Sequence, residues 1–436
     1  MALTLEQVTQ MAPDEASLAA GRKLQAARHW QNLGRDEHAF WGECLGSATY
    51  QVKFDLAQQG YHCSCPSRKF PCKHVLGLLL LATSSPEQLT ASDSPEWVAQ
   101  WLAKRHEAAA KKQLKQSEAE TKPVDEKAQQ KRAEQRHERV SEGLAQLDLW
   151  MNDLIYVGLA GLEARGAGLW EDQARRLVDA QAPGVASRVR RLGELPGSGP
   201  AWPQRLLHEL GKIKLAIHAY RRIDQLDELL ASDLRQWIGW TISSDEVEKT
   251  GEKVTDDWLI LGQWIDDDDR LRIQRTWCRG KTSGRMALVL QFAVGTAGFE
   301  QQLTPGVKQS GVMTYYPGMS RQRAQFKAAQ PASSIVQQDI AGLASFEAFL
   351  QEVAVDLARQ PWLSAFGCLI QGVTLATTEH GWWLRDQAGQ LLRLAEFDAW
   401  RLLALSGGHP FALAGEWDGN RLRPLGALVE GVYRLL

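Results

Sequence analysis

Apolar positions along the chain change period several times, and each change marks a different element. Around residues 38–56 the alternation is strict: Tyr50, Val52, Phe54 and Leu56 interleave with Gln51, Lys53 and Asp55. Period two predicts a half-buried strand, with Gly46-Ser47 as a hairpin turn ahead of it. Upstream, residues 13–33 read as one helix, opened by Pro13 and Asp14 and carrying Leu18, Leu24 and Ala27 before Trp30. Downstream, Val75–Leu81 is continuously apolar and reads as a short buried helix. Ser85-Pro86-Glu87-Gln88 and Ser94-Pro95-Glu96 then supply two helix starts, each with a capping residue and a first-turn proline. The second leads into Trp97, Val98, Trp101 and Leu102, a stripe expected to pack back onto the module.

Residues 104–142 are dense in Lys, Arg, Glu, Gln and Ala, hold almost no large apolar side chain and are interrupted by Pro123. Such a stretch cannot bury a core, and no heptad persists, so it reads as a charged, partly helical linker. From Leu144 to Trp240 the period returns to helical, with Pro183–Pro203 as a Gly/Pro-rich loop between helices. Arg188, Arg190, Arg191, Lys212, Lys214, Arg221 and Arg222 are interleaved with acids and read as a mixed solvated face. From Asp257 strands dominate, in a meander with turns at Asp266–Asp269 and Gly280–Gly284. Leu288, Leu290, Phe292 and Val294 suggest a central strand, and Ser345–Ala358 a helix. The expectation is an α+β multidomain fold: a small zinc-stabilised ββα-type module with flanking helices (1–103), a charged helical linker (104–142), a helical region (143–245) and an antiparallel β-rich C-terminal domain (246–436).

Composition narrows the function. The chain has 436 residues and a formal net charge of −2, so no global field favours nucleic acid. Its 17 tryptophans are spread throughout and read chiefly as core. Six cysteines fit a reducing cytoplasm with one metal site better than a disulfide framework. The N-terminus shows no basic region followed by an apolar core, and no apolar run reaches the roughly 18–20 residues that span a bilayer.

The chemistry lies between Tyr61 and Leu81. Cys63, Cys65, Cys72 and His74 form C-x-C, six residues, then C-x-H. Alternate residues of an extended segment face the same way, so Cys63 and Cys65 present two sulfurs together. Cys72 and His74 arrive at the start of the apolar helix, where free backbone N–H groups favour thiolate. Thiolate and imidazole are zinc's preferred ligands in a closed structural site, and one Zn²⁺ is the expected cofactor. The competing readings are buried small apolar residues or a disulfide; two disulfides cannot be built from three cysteines and a histidine. His62 faces away from Cys63 on a strand and is a spare. Cys44 reads as core, and Cys278 and Cys368 have no partner at ligand spacing.

Together with Trp41-Gly42, Gly46-Ser47, Tyr50-x-Val52 and Cys72-Lys73-His74, this spacing resembles the SWIM-type zinc finger and bacterial stand-alone proteins that carry it, over about residues 13–82. SWIM modules occur in chromatin-remodelling ATPases, Mutator-type transposases and some kinases. The resemblance implies recognition of DNA or of a protein. Three thiolates and a neutral imidazole on Zn²⁺ leave a net −1 centre, which Arg68, Lys69 and Lys73 more than offset. These cations are either neutralising neighbours or a small partner-binding surface.

Other motifs do not hold. Gly280-Lys281-Thr282 lacks the earlier glycine of a phosphate-binding loop, and Asp266–Asp269 lacks the glycine and late glutamate of a calcium loop. No G-x-S-x-G or H-E-x-x-H occurs. The expected function is therefore zinc binding by a non-enzymatic module that recognises a protein partner or nucleic acid, without nucleotide or membrane. The alternative is an enzyme whose site lies in the β-rich domain, recognisable by a cleft with converging carboxylates.

Overall fold

The alternating stretch forms β3 (Thr49–Asp55), paired along its length with β2 (Ala39–Leu45) across the expected hairpin. The computed structural model describes residues 5–12, 15–46, 48–56, 60–67, 71–105, 107, 126–268, 271–294, 299, 301, 303–329, 333–335, 340–379 and 381–436. β4 (Tyr61–Cys63) and β1 (Trp30–Arg35) flank the hairpin, and β5 (Thr90–Ala91) adds a parallel edge, giving the order β4-β3-β2-β1-β5.

One face of this sheet is covered by α3 (Lys73–Ser84), in which every residue from His74 to Ala82 is buried. A helix apolar on all sides needs neighbours all round. The remaining sides are met by α1 (Leu5–Met11) and α2 (Glu15–Arg22). Two glycines permit the α2–α3 approach: a Cβ on Gly21 would lie 2.7 Å from Leu76 Cβ, and one on Gly77 2.7 Å from Leu24 Cβ. The single helix expected over 13–33 therefore ends at Arg22, and Trp30 opens β1 instead. Its indole N–H donates to the Leu24 carbonyl at 2.6 Å, fixing the chain reversal that the spacing of Leu18, Leu24 and Ala27 conceals. Pro13 and Asp14 lie outside the described residues.

The opposite face is covered too. A helix over residues 96–105, α4, lays Trp97, Val98, Trp101 and Leu102 against Ala39 and Trp41. Lys53 and Asp55, expected in solvent, are 8% and 1% exposed. The Lys53 ammonium donates to the Trp97 carbonyl at 3.1 Å and lies 5.1 and 5.5 Å from the Trp97 and Trp101 rings. Arg105 pairs with Asp55 at 3.3 Å. β3 is thus a strand buried on both faces, and the module's core is thicker than the two strands and one helix read from sequence.

α5 (Glu126–Val157) starts inside the expected linker and runs through the 142/143 boundary without a break. Its charged half is held to the helical region: Arg136 stacks 4.5 Å from the Trp240 ring centre and donates to the Gly239 carbonyl, and His137 Nδ1 meets the Tyr220 hydroxyl at 3.0 Å. Ala, Gln, Lys, Arg and Glu are good helix formers, so the helix propagates once a few such contacts anchor it. Residues 106 and 108–125, including Pro123, lie outside the described residues.

The bundle continues with α6 (Leu162–Arg165), α7 (Gly168–Asp179), α8 (Pro183–Leu192), α9 (Trp202–Tyr220) and α10 (Glu228–Ile238). Leu147, Met151, Trp170, Val189, Leu206 and Ile217 meet in its centre. The loop expected over Pro183–Pro203 is mostly helix, because Pro183 and Pro203 occupy first-turn positions, where the missing N–H costs nothing. Lys214 and Arg221 both bind Asp148, and Arg190 binds Glu171 at 2.6 Å, so these members of the basic run form a paired, mixed face.

After α11 (Ser244–Thr250), a sheet of β6 (Lys253–Asp268), β7 (Leu271–Gly280), β8 (Met286–Val294), β9 (Val307–Tyr315), β10 (Ala324–Ala328) and β11 (Ser333–Ser334) has the order β10-β9-β6-β7-β8, with β11 on β9. β8 lies at an end of this path, not at its centre. Its inward residues are Ala287, Val289 and Ala293, while Phe292 and Val294 are 49% and 68% exposed. The Leu288 N–H reaches the Gln322 carbonyl at 2.7 Å, curling this edge toward β10.

The second sheet has the order β14-β13-β12-β15-β16-β17, formed by β12 (Phe366–Thr378), β13 (Gly381–Arg385), β14 (Leu391–Arg393), β15 (Phe411–Trp417), β16 (Leu422–Val429) and β17 (Val432–Leu435). α12 (Phe346–Arg359) forms where a helix was expected, with Ser345 as its cap, whereas α13 (Ala399–Ser406) has no counterpart in the sequence reading. Leu259, Leu261, Leu369, Ala414 and Leu428 join the two sheets. Among the described residues no helix is long and apolar enough to cross a membrane.

The bundle meets the β-rich region through Asp233 on α10, which accepts the Met319 N–H at 2.7 Å. Gly318 is required beside it, since a Cβ there would lie 2.1 Å from Asp233 Oδ1. Burial pushes the Asp233 carboxyl up to about 6, partly opposed by the Met319 bond. The folded chain therefore holds this proton more tightly than the unfolded one, and the group adds stability as pH falls from about 6 toward the unfolded value near 4. Denaturant titrations at pH 7 and pH 5 should show Asp233→Asn losing that increment relative to the parent chain. Equal pH dependence in both would refute the assignment.

Candidate metal centre

The zinc ligands are delivered by two elements packed on each other. β4 pairs with β3 so that Cys63 stands opposite Val52. The ladder then closes with two bonds: the Ser64 N–H donates to the Gln51 carbonyl at 3.0 Å, and the Gln51 N–H donates to Ser64 Oγ at 2.9 Å. Ser64 is thus held to the sheet, and Cys63 and Cys65 flank it. Cys72 is the residue before the first turn of α3, extended at φ −74°, ψ 166°, and its carbonyl accepts the Leu76 N–H. His74 follows in the first turn.

The four side chains converge. One ligand atom from each of Cys63, Cys65, Cys72 and His74 lies within 4.8 Å of all the others. His74 Nδ1 is 3.7 Å from Cys63 Sγ and 3.9 Å from Cys72 Sγ. A tetrahedral zinc with Zn–S of about 2.3 Å and Zn–N of about 2.0–2.1 Å separates sulfur from nitrogen by about 3.6 Å, so the donor set fits.

The Cys72 thiol is drawn down to about 4, chiefly by the hydrogen bond that Cys63 gives it. The Cys63 thiol is pushed up by the same bond and by burial, and Cys65 is raised by burial. Three crowded thiols share one favoured negative charge; ionising all three calls for a divalent ion at their centre.

Beyond its place in the strand and in the SWIM-like pattern, Tyr50 stacks its ring on His74 at 4.7 Å between centroids and 29° between planes. It fixes the imidazole on one side, as neighbours that orient metal ligands do. The Tyr-x-Val pattern signalled a strand and gave no sign of this contact. His62 is exposed and outside the cluster, as expected. Cys44 is 1% exposed, and burial pushes its thiol up to about 11, which suits a core residue. Cys278 and Cys368 are buried in the β-rich region. Of the three cations expected beside the site, Lys73 is exposed on the first turn of α3; Arg68 and Lys69 lie outside the described residues.

The turn at Gly280–Gly284 has its own carboxylate. Asp256 accepts the N–H groups of Thr282 at 3.1 Å and Ser283 at 2.7 Å, so the donors a phosphate would use are occupied.

A second convergence lies in the β-rich region, in a cleft of about 970 Å³ between α12 and residues 284–286 and 319–322. Glu352 and Asp356 stand one turn apart on its wall, and Gln322 donates to Asp356 at 3.0 Å. Burial pushes both carboxyls up. Arg285 and Arg321 on the other side are both held by Glu252 at 2.7 Å.

Comparison with known families agrees with the geometry. The SWIM zinc finger family matches residues 50–82, and the SWIM-associated four-helix bundle domain matches residues 135–238. The second match begins ten residues into α5, where Arg136 and His137 anchor that helix to the bundle. The chain has no significant match among curated proteins or among solved structures. A Cys₃His cluster at zinc-binding separation, on the segment this family describes, together with the helices that accompany it, identifies a SWIM zinc finger with its associated four-helix bundle domain.

Proposed function

We propose that the protein is a non-enzymatic recognition factor in which one structural zinc holds a surface that binds a protein partner. The observation that carries the reading is the closed Cys₃His set: four protein donors complete a tetrahedron and leave no position for substrate. The choice of protein over nucleic acid rests on charge. Two cations of the module are engaged already, Lys53 between Trp97 and Trp101 and Arg105 on Asp55, and the whole chain carries −2. Phosphate recognition needs clustered free cations. A cytoplasmic setting belongs to the same proposal, because zinc thiolates need a reducing environment. Co-purification from nuclease-treated extract, with intact and chelated protein, tests it. Partner capture should need zinc and survive a salt increase from about 50 to 200 mM, where a contact through several phosphates would lose orders of magnitude. Capture abolished by nuclease or by that salt step would favour nucleic acid.

One observation favours a second reading. Paired carboxylates with raised protonation, on the wall of a large cleft, are what acid–base chemistry uses. We propose Glu352 and Asp356 as its acid and base if the protein is an enzyme targeted by its finger. Retention of partner capture by Glu352→Gln, with no turnover detected in a hydrolase substrate panel, would leave the binding reading standing.

A further inference from the structure

Beside that cleft, and sharing Ser320–Gln322 with it, a smaller cavity of about 240 Å³ lies where the bundle meets the β-rich region. Its walls come from α8 and α10 on one side, and from β7, β8 and the segments 316–323 and 360–365 on the other. Two of its guanidinium groups have no carboxylate within ion-pairing distance among the described residues. Arg188 lies 4.2 Å over the Trp237 ring and donates to the Gly184 and Trp237 carbonyls at 2.8 and 3.3 Å. Arg323 lies 3.9 Å over the Tyr316 ring. The other two arginines of the wall, Arg275 and Arg321, are held by Glu416 and Glu252. Asp233 is the one acid in the wall, so four cations face three carboxylates in all.

The Trp237 and Trp362 rings, 6.4 Å apart, with Leu288 and Leu290, supply an apolar side. Two guanidinium groups without a carboxylate partner, beside aromatic rings, are complementary to a small molecule with an oxyanion at one end and a flat body.

We propose that this cavity binds a small organic anion, a carboxylate or phosphate on a compact ring or chain. Because its walls belong to both the bundle and the β-rich region, the bound anion clamps the two together. The proposal is independent of the zinc site and of its partner.

Titration calorimetry of the full zinc-loaded chain with inorganic phosphate, phenyl phosphate and 4-hydroxybenzoate tests it. At least one probe should bind saturably, raise the Tm, and shift the indole N–H resonance that Trp362→Phe removes. Phosphate-only binding identifies a phosphate ligand, and 4-hydroxybenzoate binding a carboxylate; either supports the site. Arg323→Gln should weaken the bound probe about tenfold or more. Arg385→Gln, on exposed β13, should leave binding unchanged. No saturable binding of any of the three probes to the folded parent chain overturns the proposal. So does binding that Arg323→Gln leaves unaltered.

Discussion

Replacing Cys72 by serine should drop the zinc content from one ion per chain to near zero after mild chelation. The loss should exceed the roughly 10- to 100-fold that changes around a metal's ligands produce, since a thiolate bond itself is removed. Cys72 is the most consequential of the four: it precedes the first turn of α3 and shares the hydrogen bond that biases Cys63. Its loss releases β4 from α3. Rapid hydrogen exchange and proteolysis should then appear over residues 61–76, while the bundle around Trp170 and Ile217 keeps its protection. Sequence reasoning alone predicts that all of residues 38–82 unfold. The core beneath α3, with Trp30, Val52, Phe54, Val75 and Leu79, argues for a more confined opening. A mutant that keeps its zinc and its protection would contradict the assignment of the ligand.

The second large effect lies far from the metal. Glu416 on β15 is 7% exposed and accepts both the Arg275 guanidinium at 3.0 Å and the Trp277 indole N–H at 2.5 Å, tying the second sheet to β7 of the first. Trp277 is fully buried, and Arg275 also lies 5.4 Å from the Trp264 ring. Glu416→Ala removes the acceptor and leaves a guanidinium and an indole N–H buried between the sheets. Breaking a buried charge pair by deleting one partner typically costs about 3–5 kcal/mol. Chemical denaturation should show a loss of that size in the β-rich transition, with zinc content unchanged. A loss below about 1 kcal/mol would mean that water reaches the pair and that the sheets are not tied there.

What the sequence made legible was local. Cys63, Cys65, Cys72 and His74 could be grouped because their spacing alone fixes which way the side chains face, and the Tyr50–Leu56 alternation needed only neighbouring residues. What stayed hidden depended on distant segments. Lys53 and Asp55 read as solvent-facing because Trp97, Trp101 and Arg105, which cover them, lie some 40–50 residues on. Trp30 read as helical because only α3 and the Leu24 carbonyl explain why the chain turns there. Pro183 was taken as a breaker when its position at a helix start made it a helix former. The charged half of α5 lacked apolar residues, yet a stacked Arg136 and a bonded His137 are enough to seat it. Glu416 and Trp277, 139 positions apart, carried no sequence signal of their bond.

Zinc-edge X-ray absorption on the purified chain measures the central arrangement directly. The expected spectrum is a single four-coordinate zinc with three sulfurs at about 2.3 Å and one imidazole nitrogen at about 2.0–2.1 Å. A shell of four sulfurs, which would bring in Cys44, or one dominated by oxygen and nitrogen, would contradict the Cys₃His centre.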